Sequence, residues 1–107
     1  PTFIPGPVET RDCMSRDQIA SDVRRHRNEI RACYERALQR DRSLAGQIKI
    51  HFKISSTGSV FMTKIKSSSL KNKSVEQCVQ NKVRHWVFPE PQGCSMVNVT
   101  YPFNFKH

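Results

Sequence analysis

Apolar residues recur along this chain with two different periods, and the points where one gives way to the other mark out five predicted elements. The first is helical. Ser15 stands three residues ahead of Gln18, a capping-box pattern that predicts a helix start. Ile19, Val23, His26, Ile30, Cys33, Tyr34 and Ala37 then recur at steps of three and four, with Arg24, Arg25, Arg27 and Arg31 mostly off that stripe. One helix is predicted, ending near Leu38, with "DRSLAG" turning the chain at Gly46.

"QIKIHFKI" switches to period two: Ile48, Ile50, Phe52 and Ile54 share one face, and Lys49, His51 and Lys53 share the other. "SSTG" reads as a hairpin loop with Gly58 suited to a positive φ. "SVFMTKIKS" is the predicted return strand, with Phe61, Thr63 and Ile65 inward. Val60 and Met62 fall on the wrong parity, which a bulge near the turn would reconcile. A capping box from Ser74 to Gln77 predicts a second helix carrying Val75, Cys78, Val79, Val83 and Trp86 on one face, stopped by Pro89 and Pro91. "SMVNVTYPFNF" alternates again, with Val97, Val99, Tyr101, Phe103 and Phe105 inward.

The predicted fold is α+β, α-β-β-α-β, a three-stranded antiparallel sheet in the order 2-1-3 with two helices on one face. Pro102 cannot donate to a ladder, which predicts that the last strand is an edge. Residues 1–14, with three prolines, read as a linker end or extended lead-in, and 15–107 as the domain. The start at Pro1 reads as a fragment of a longer protein.

Composition changes the picture in one respect. Lys and Arg outnumber Asp and Glu 18 to 9, a net +9 that implies an acidic partner or surface without naming it. No run approaches the roughly 18 apolar residues of a membrane span. Cys13, Cys33, Cys78 and Cys94 are widely spread and form no local metal knuckle, so two disulfides fit better than zinc, with inert thiols as the other reading. Both predicted helices aim a cysteine at the layer between helices and sheet, which pairs Cys33 with Cys78 and leaves Cys13 with Cys94. Such bridges point to an oxidising compartment.

The chemistry of catalysis has no support here. His26 lies on an apolar stripe, His51 sits between two lysines, and His85 and His107 have no acid or nucleophile placed for a triad. No phosphate-binding glycine motif occurs, and no cofactor or metal is expected. "NKS" at Asn72 and "NVT" at Asn98 match the glycosylation pattern by chance. Lys49, His51, Lys53, Lys64 and Lys66 are expected on the open sheet face, either solvated or as an anionic contact surface. The aromatics fall on the opposite parity, which counts against single-stranded nucleic acid. The lysines of the second strand deter an incoming strand. Met96, Val97, Asn98, Val99, Thr100 and Tyr101 carry neither charge nor proline, so this edge can accept an extended peptide, unless the N-terminal segment or first helix covers it.

"CYERAL", "LAGQIKIHFKISSTGSV", "SSSL", "VEQCV", "VRHWVFPEP" and "VNVTYPFNF", in that order, resemble the AgmX/PglI C-terminal domain, within the wider TonB C-terminal family, over about residues 19–106. The resemblance implies a TonB-like fold in the periplasm of a Gram-negative bacterium, on a parent protein anchored in the inner membrane. It implies an adaptor or energy-transducer role in transport, gliding motility or another envelope machinery. The partner would be an envelope or outer-membrane protein, gripped by strand addition at residues 96–105. The other reading is a basic domain that binds an anionic polymer, nucleic acid or cell-wall material, through Lys49, Lys53, Lys64 and Lys66.

Overall fold

The computed structural model describes residues 2–5, 9–10 and 14–107. Its elements are β1 (Thr2–Pro5), β2 (Glu9–Thr10), α1 (Arg16–Arg25), α2 (Arg27–Leu38), β3 (Gly46–Ser55), β4 (Val60–Ser68), α3 (Lys73–Arg84) and β5 (Met96–Lys106). The three-stranded, two-helix fold is therefore corrected to a five-stranded sheet and three helices. The sheet runs β1-β5-β3-β4, with the two-residue β2 also paired to β5, and every pairing is antiparallel.

Two local effects account for the correction. At His26 the backbone leaves the α region (φ −99°, ψ 6°), and its N–H bonds to Val23 O at 2.9 Å. The expected long helix thus divides into α1 and α2. The three-and-four spacing continues across this one-residue break, so periodicity could not reveal it. At the N-terminus, the proline-rich lead-in supplies β1 and β2. Phe3 pairs with Phe105, and its ring lies 5.1 Å from that of Phe103 and 5.6 Å from that of Phe105.

β5 is consequently no edge. Pro102 stands opposite Lys49 of β3 and falls between the stretches paired to β2 and β1, so it has no described partner on its outer side. The outermost strand on the other side is β4. Its register against β3 shifts twice, and Phe61 and Lys66 are left with no partner on β3. The first shift restores Val60 to the core but turns Phe61 out to 50% exposure, correcting its expected inward place.

Ser15 caps α1, its Oγ accepting the Gln18 N–H at 3.1 Å. α3 starts earlier than the Ser74 box predicts, because Asn72 Oδ1 accepts the Val75 N–H at 3.0 Å. Ile19, Val23, Ile30 and Tyr34 from the first two helices and Val75, Val79 and Val83 from α3 form one core with the inward side chains of β3 and β5. Gly58 has to be glycine. Its φ is +90°, and a Cβ there would stand 1.9 Å from Phe88 O.

Cys33 and Cys78 form a disulfide joining α2 to α3, with Cα atoms 5.8 Å apart. Cys94 is disulfide-bonded as well. Its expected partner Cys13 lies outside the described residues. The buried bridge is consistent with an oxidising environment.

Candidate functional site

The alternation that buries Ile48, Ile50, Phe52 and Ile54 forces Lys49, His51 and Lys53 onto the uncovered face of β3, where they are half-exposed. Register adds to them from both neighbours. Lys64 of β4 stands opposite His51, Met62 opposite Lys53 and Ser67 opposite Lys49. From β5, Thr100 stands opposite His51, Asn98 opposite Lys53 and Pro102 opposite Lys49. His51 Nδ1 lies 3.2 Å from Thr100 Oγ1, which fixes the ring against the sheet. Lys66, an extra residue of a bulge, is exposed at the rim rather than in register with the others.

β3, β4 and β5 contain no Asp or Glu at all. The ion pairs among the described residues, Arg25–Asp22, His26–Glu29 and Arg31–Glu35, all belong to the α1–α2 region. The open face thus gathers lysines on strands that carry no carboxylate, the acid in register beside it being Glu9 of β2, opposite Thr100, and its field is directed at solvent. Phe52, Tyr101, Phe103 and Phe105 are buried on the opposite face, so none of these rings is available on the lysine face for a base to stack on.

The expected strand-accepting edge is differently placed. Val97, Val99 and Tyr101 are buried, Thr100 is 8% exposed, and Met96 and Asn98 are half-exposed. On the side away from β3, Val99 pairs with Thr10 and Thr100 with Glu9. Only Met96, Val97 and Asn98 at its start, and Tyr101 and Pro102 between the two short strands, lack a described outer partner.

Sequence reasoning missed the β4 margin. Thr63 on β4 and Gln80, Asn81, Arg84 and His85 at the end of α3 line an open cleft of about 460 Å³. Phe61 and Val87, two of the exposed large apolar residues, are brought to the same margin because Val87 bridges Ser59 as an isolated antiparallel pair. The off-parity positions of Val60 and Met62 were the one available signal.

The other titratable groups are structural. Burial pushes the Tyr101 phenol up to about 12, with the Arg24 charge opposing in part, and burial also raises Tyr34. The Tyr34 hydroxyl donates to Leu44 O. Among the described residues, no group of three His, Cys, Asp or Glu side chains is placed to hold a metal ion, and no helix is long and apolar enough to cross a membrane.

No family model, no curated protein and no solved structure matches this chain. The resemblance to the AgmX/PglI domain and the TonB group is corrected on that ground and on the topology, which has three helices and extra N-terminal strands. The roles in gliding motility and transport that it implied fall with it. Its quoted motifs have local causes instead. "STG" is required by the close approach of Gly58 to Phe88, and "W-x-F-P" sets Trp86 and Phe88 into the core, at 3% exposure each.

Proposed function

We propose that this domain is a protein-binding module of an oxidising, extracytoplasmic compartment such as a periplasm, and that it holds an acidic partner protein against its open sheet face. The observation that carries this reading is the register itself. It sets Lys49, His51 and Lys53 of β3 beside Lys64 of β4, on strands that carry no carboxylate. The burial of Phe52, Tyr101, Phe103 and Phe105 on the opposite face, away from these lysines, favours a polypeptide over nucleic acid. Strand addition at Met96–Tyr101 would first require β2 to leave Val99 and Thr100, a condition the open face does not impose.

The test is binding of fluorescein-labelled poly-L-glutamate, followed by anisotropy at low and high salt. Replacing Lys49, Lys53 and Lys64 by Glu should weaken binding at least about tenfold. The same change of net charge at Arg16, Arg27 and Arg42, which are exposed outside the sheet, should cost far less. Equal losses from the two triple variants would show that only total charge matters and would refute a defined surface.

A further inference from the structure

We infer that the partner is captured as an added strand on β4, in the cleft between that strand and α3, through a short extended segment that combines acidic residues with an apolar anchor. This rests on the reading above that the partner is an acidic protein, and it names the part of the molecule that selects it.

The inference starts from backbone geometry. β4 is the last strand of the sheet, and beyond Ser59 its outer side has no partner among the described residues. At Ser59 the protein itself shows what this edge accepts. Val87 bridges it in the antiparallel sense, and the Phe88 N–H bonds to Gly58 O at 2.8 Å. An incoming strand would continue that line along β4 towards Ser68. The shifts at Phe61 and Lys66 leave Met62–Ile65 as the regular run between them, so the added ladder spans about four residues.

Side-chain chemistry then selects the occupant. At one end, Phe61 is 50% and Val87 69% exposed, an apolar pair available to one anchoring side chain. Along the rest, Lys64, Lys66, Arg84 and His85 are exposed, and neither β4 nor the stretch from Gln77 to Pro89 contains an acid. A second copy of this chain is disfavoured. Two antiparallel β4 strands would bring the Lys64 and Lys66 of both copies to one seam that holds no acid. An extended segment with Glu or Asp at alternate positions meets the same lysines with opposite charge. The lysines that shield this edge from self-association thereby become its means of selection.

The experiment uses the whole chain and a labelled peptide, fluorescein–Leu-Glu-Val-Glu-Val-Glu, read by anisotropy and by amide hydrogen exchange. The expected result is slowed exchange within residues 62–66, and binding weakened about tenfold by Phe61→Ser with Val87→Ser, two exposed positions whose change leaves the core and the charge intact. Poly-L-glutamate, which lacks the apolar anchor, should lose little on the same variant. Peptide binding with no protection of β4, or unaffected by Phe61→Ser and Val87→Ser, overturns the inference while leaving the open-face reading to its own test. Protection of β4 by the peptide, together with poly-L-glutamate binding indifferent to the sheet-face variant, upholds the edge and removes the open face.

Discussion

Glu29 ties together the helix break and the residues that follow α3. Its Oε2 accepts from His26 Nδ1 at 2.7 Å, its Oε1 accepts from Trp86 Nε1–H at 3.2 Å, and the His26 and Trp86 rings stack 4.6 Å apart. Partial burial pushes the Glu29 carboxyl up, but the bonds from His26 and Trp86, with the charges of His26 and Lys82, outweigh it and hold the group below its ordinary 4.5. A carboxylate depressed in the folded state stabilises it above the unfolded pKa, and that contribution disappears as pH falls through the folded value. Glu29→Gln should therefore lower stability at pH 7 and lose its effect well below pH 4.5, as urea denaturation at the two pH values would show. Because the side chain is 42% exposed, the difference should be no more than about 1 kcal/mol. Tyr101 presents the opposite case. Its hydroxyl is buried with no hydrogen-bond partner among the described residues, so Tyr101→Phe should be neutral or stabilising, by up to about 1 kcal/mol in the same assay.

Among the elements, the strands and helices differ in how plainly their sequences announced them. β3 was legible residue by residue, since one buried face on a half-covered strand dictates alternation, and Ile48, Ile50, Phe52 and Ile54 are all fully buried. β4 was legible only in part, because its extra residues break the parity on which the reading depends. Phe61 was therefore assigned to the wrong side, and the apolar corner it makes with Val87 went unseen. The pairing of α2 with α3 was readable because Cys33 and Cys78 both lie on apolar stripes. Their bridge closes 45 residues, so replacing both by Ala should cost about 3–4 kcal/mol on the chain-entropy model, measured as a lower urea midpoint. Gly58 secures the remaining junction, between the β3–β4 hairpin and the segment after α3. Gly58→Ala meets both the positive φ and Phe88 O, so it should destabilise by about 1–3 kcal/mol and release the Val87–Phe88 segment from the β4 edge.

Across the whole molecule, the legible and illegible features separate by distance along the chain. β1 pairs with β5 from a hundred residues away, and four residues, "TFIP", are too few to mark it as a strand; Pro5 and the prolines on either side of it argue for the opposite. The +9 charge was evident, but its distribution was not, because only the register brings Lys64 beside His51 while the described ion pairs stay with α1 and α2. That asymmetry makes a kinetic prediction. A charged face acts on an approaching acidic partner at long range, so it should raise the rate of encounter more than it slows escape. Raising ionic strength from about 20 to 200 mM shortens the screening length severalfold, and should lower the association rate constant of the acidic peptide about tenfold while changing its dissociation rate much less. The apolar corner acts only after contact, so Phe61→Ser with Val87→Ser should do the reverse, speeding dissociation and leaving the salt dependence of association in place. Stopped-flow anisotropy on the native chain and this variant separates the two effects. If salt acted mainly on dissociation, the lysines would be contact groups alone, and the uncovered face of the sheet would have no part in steering.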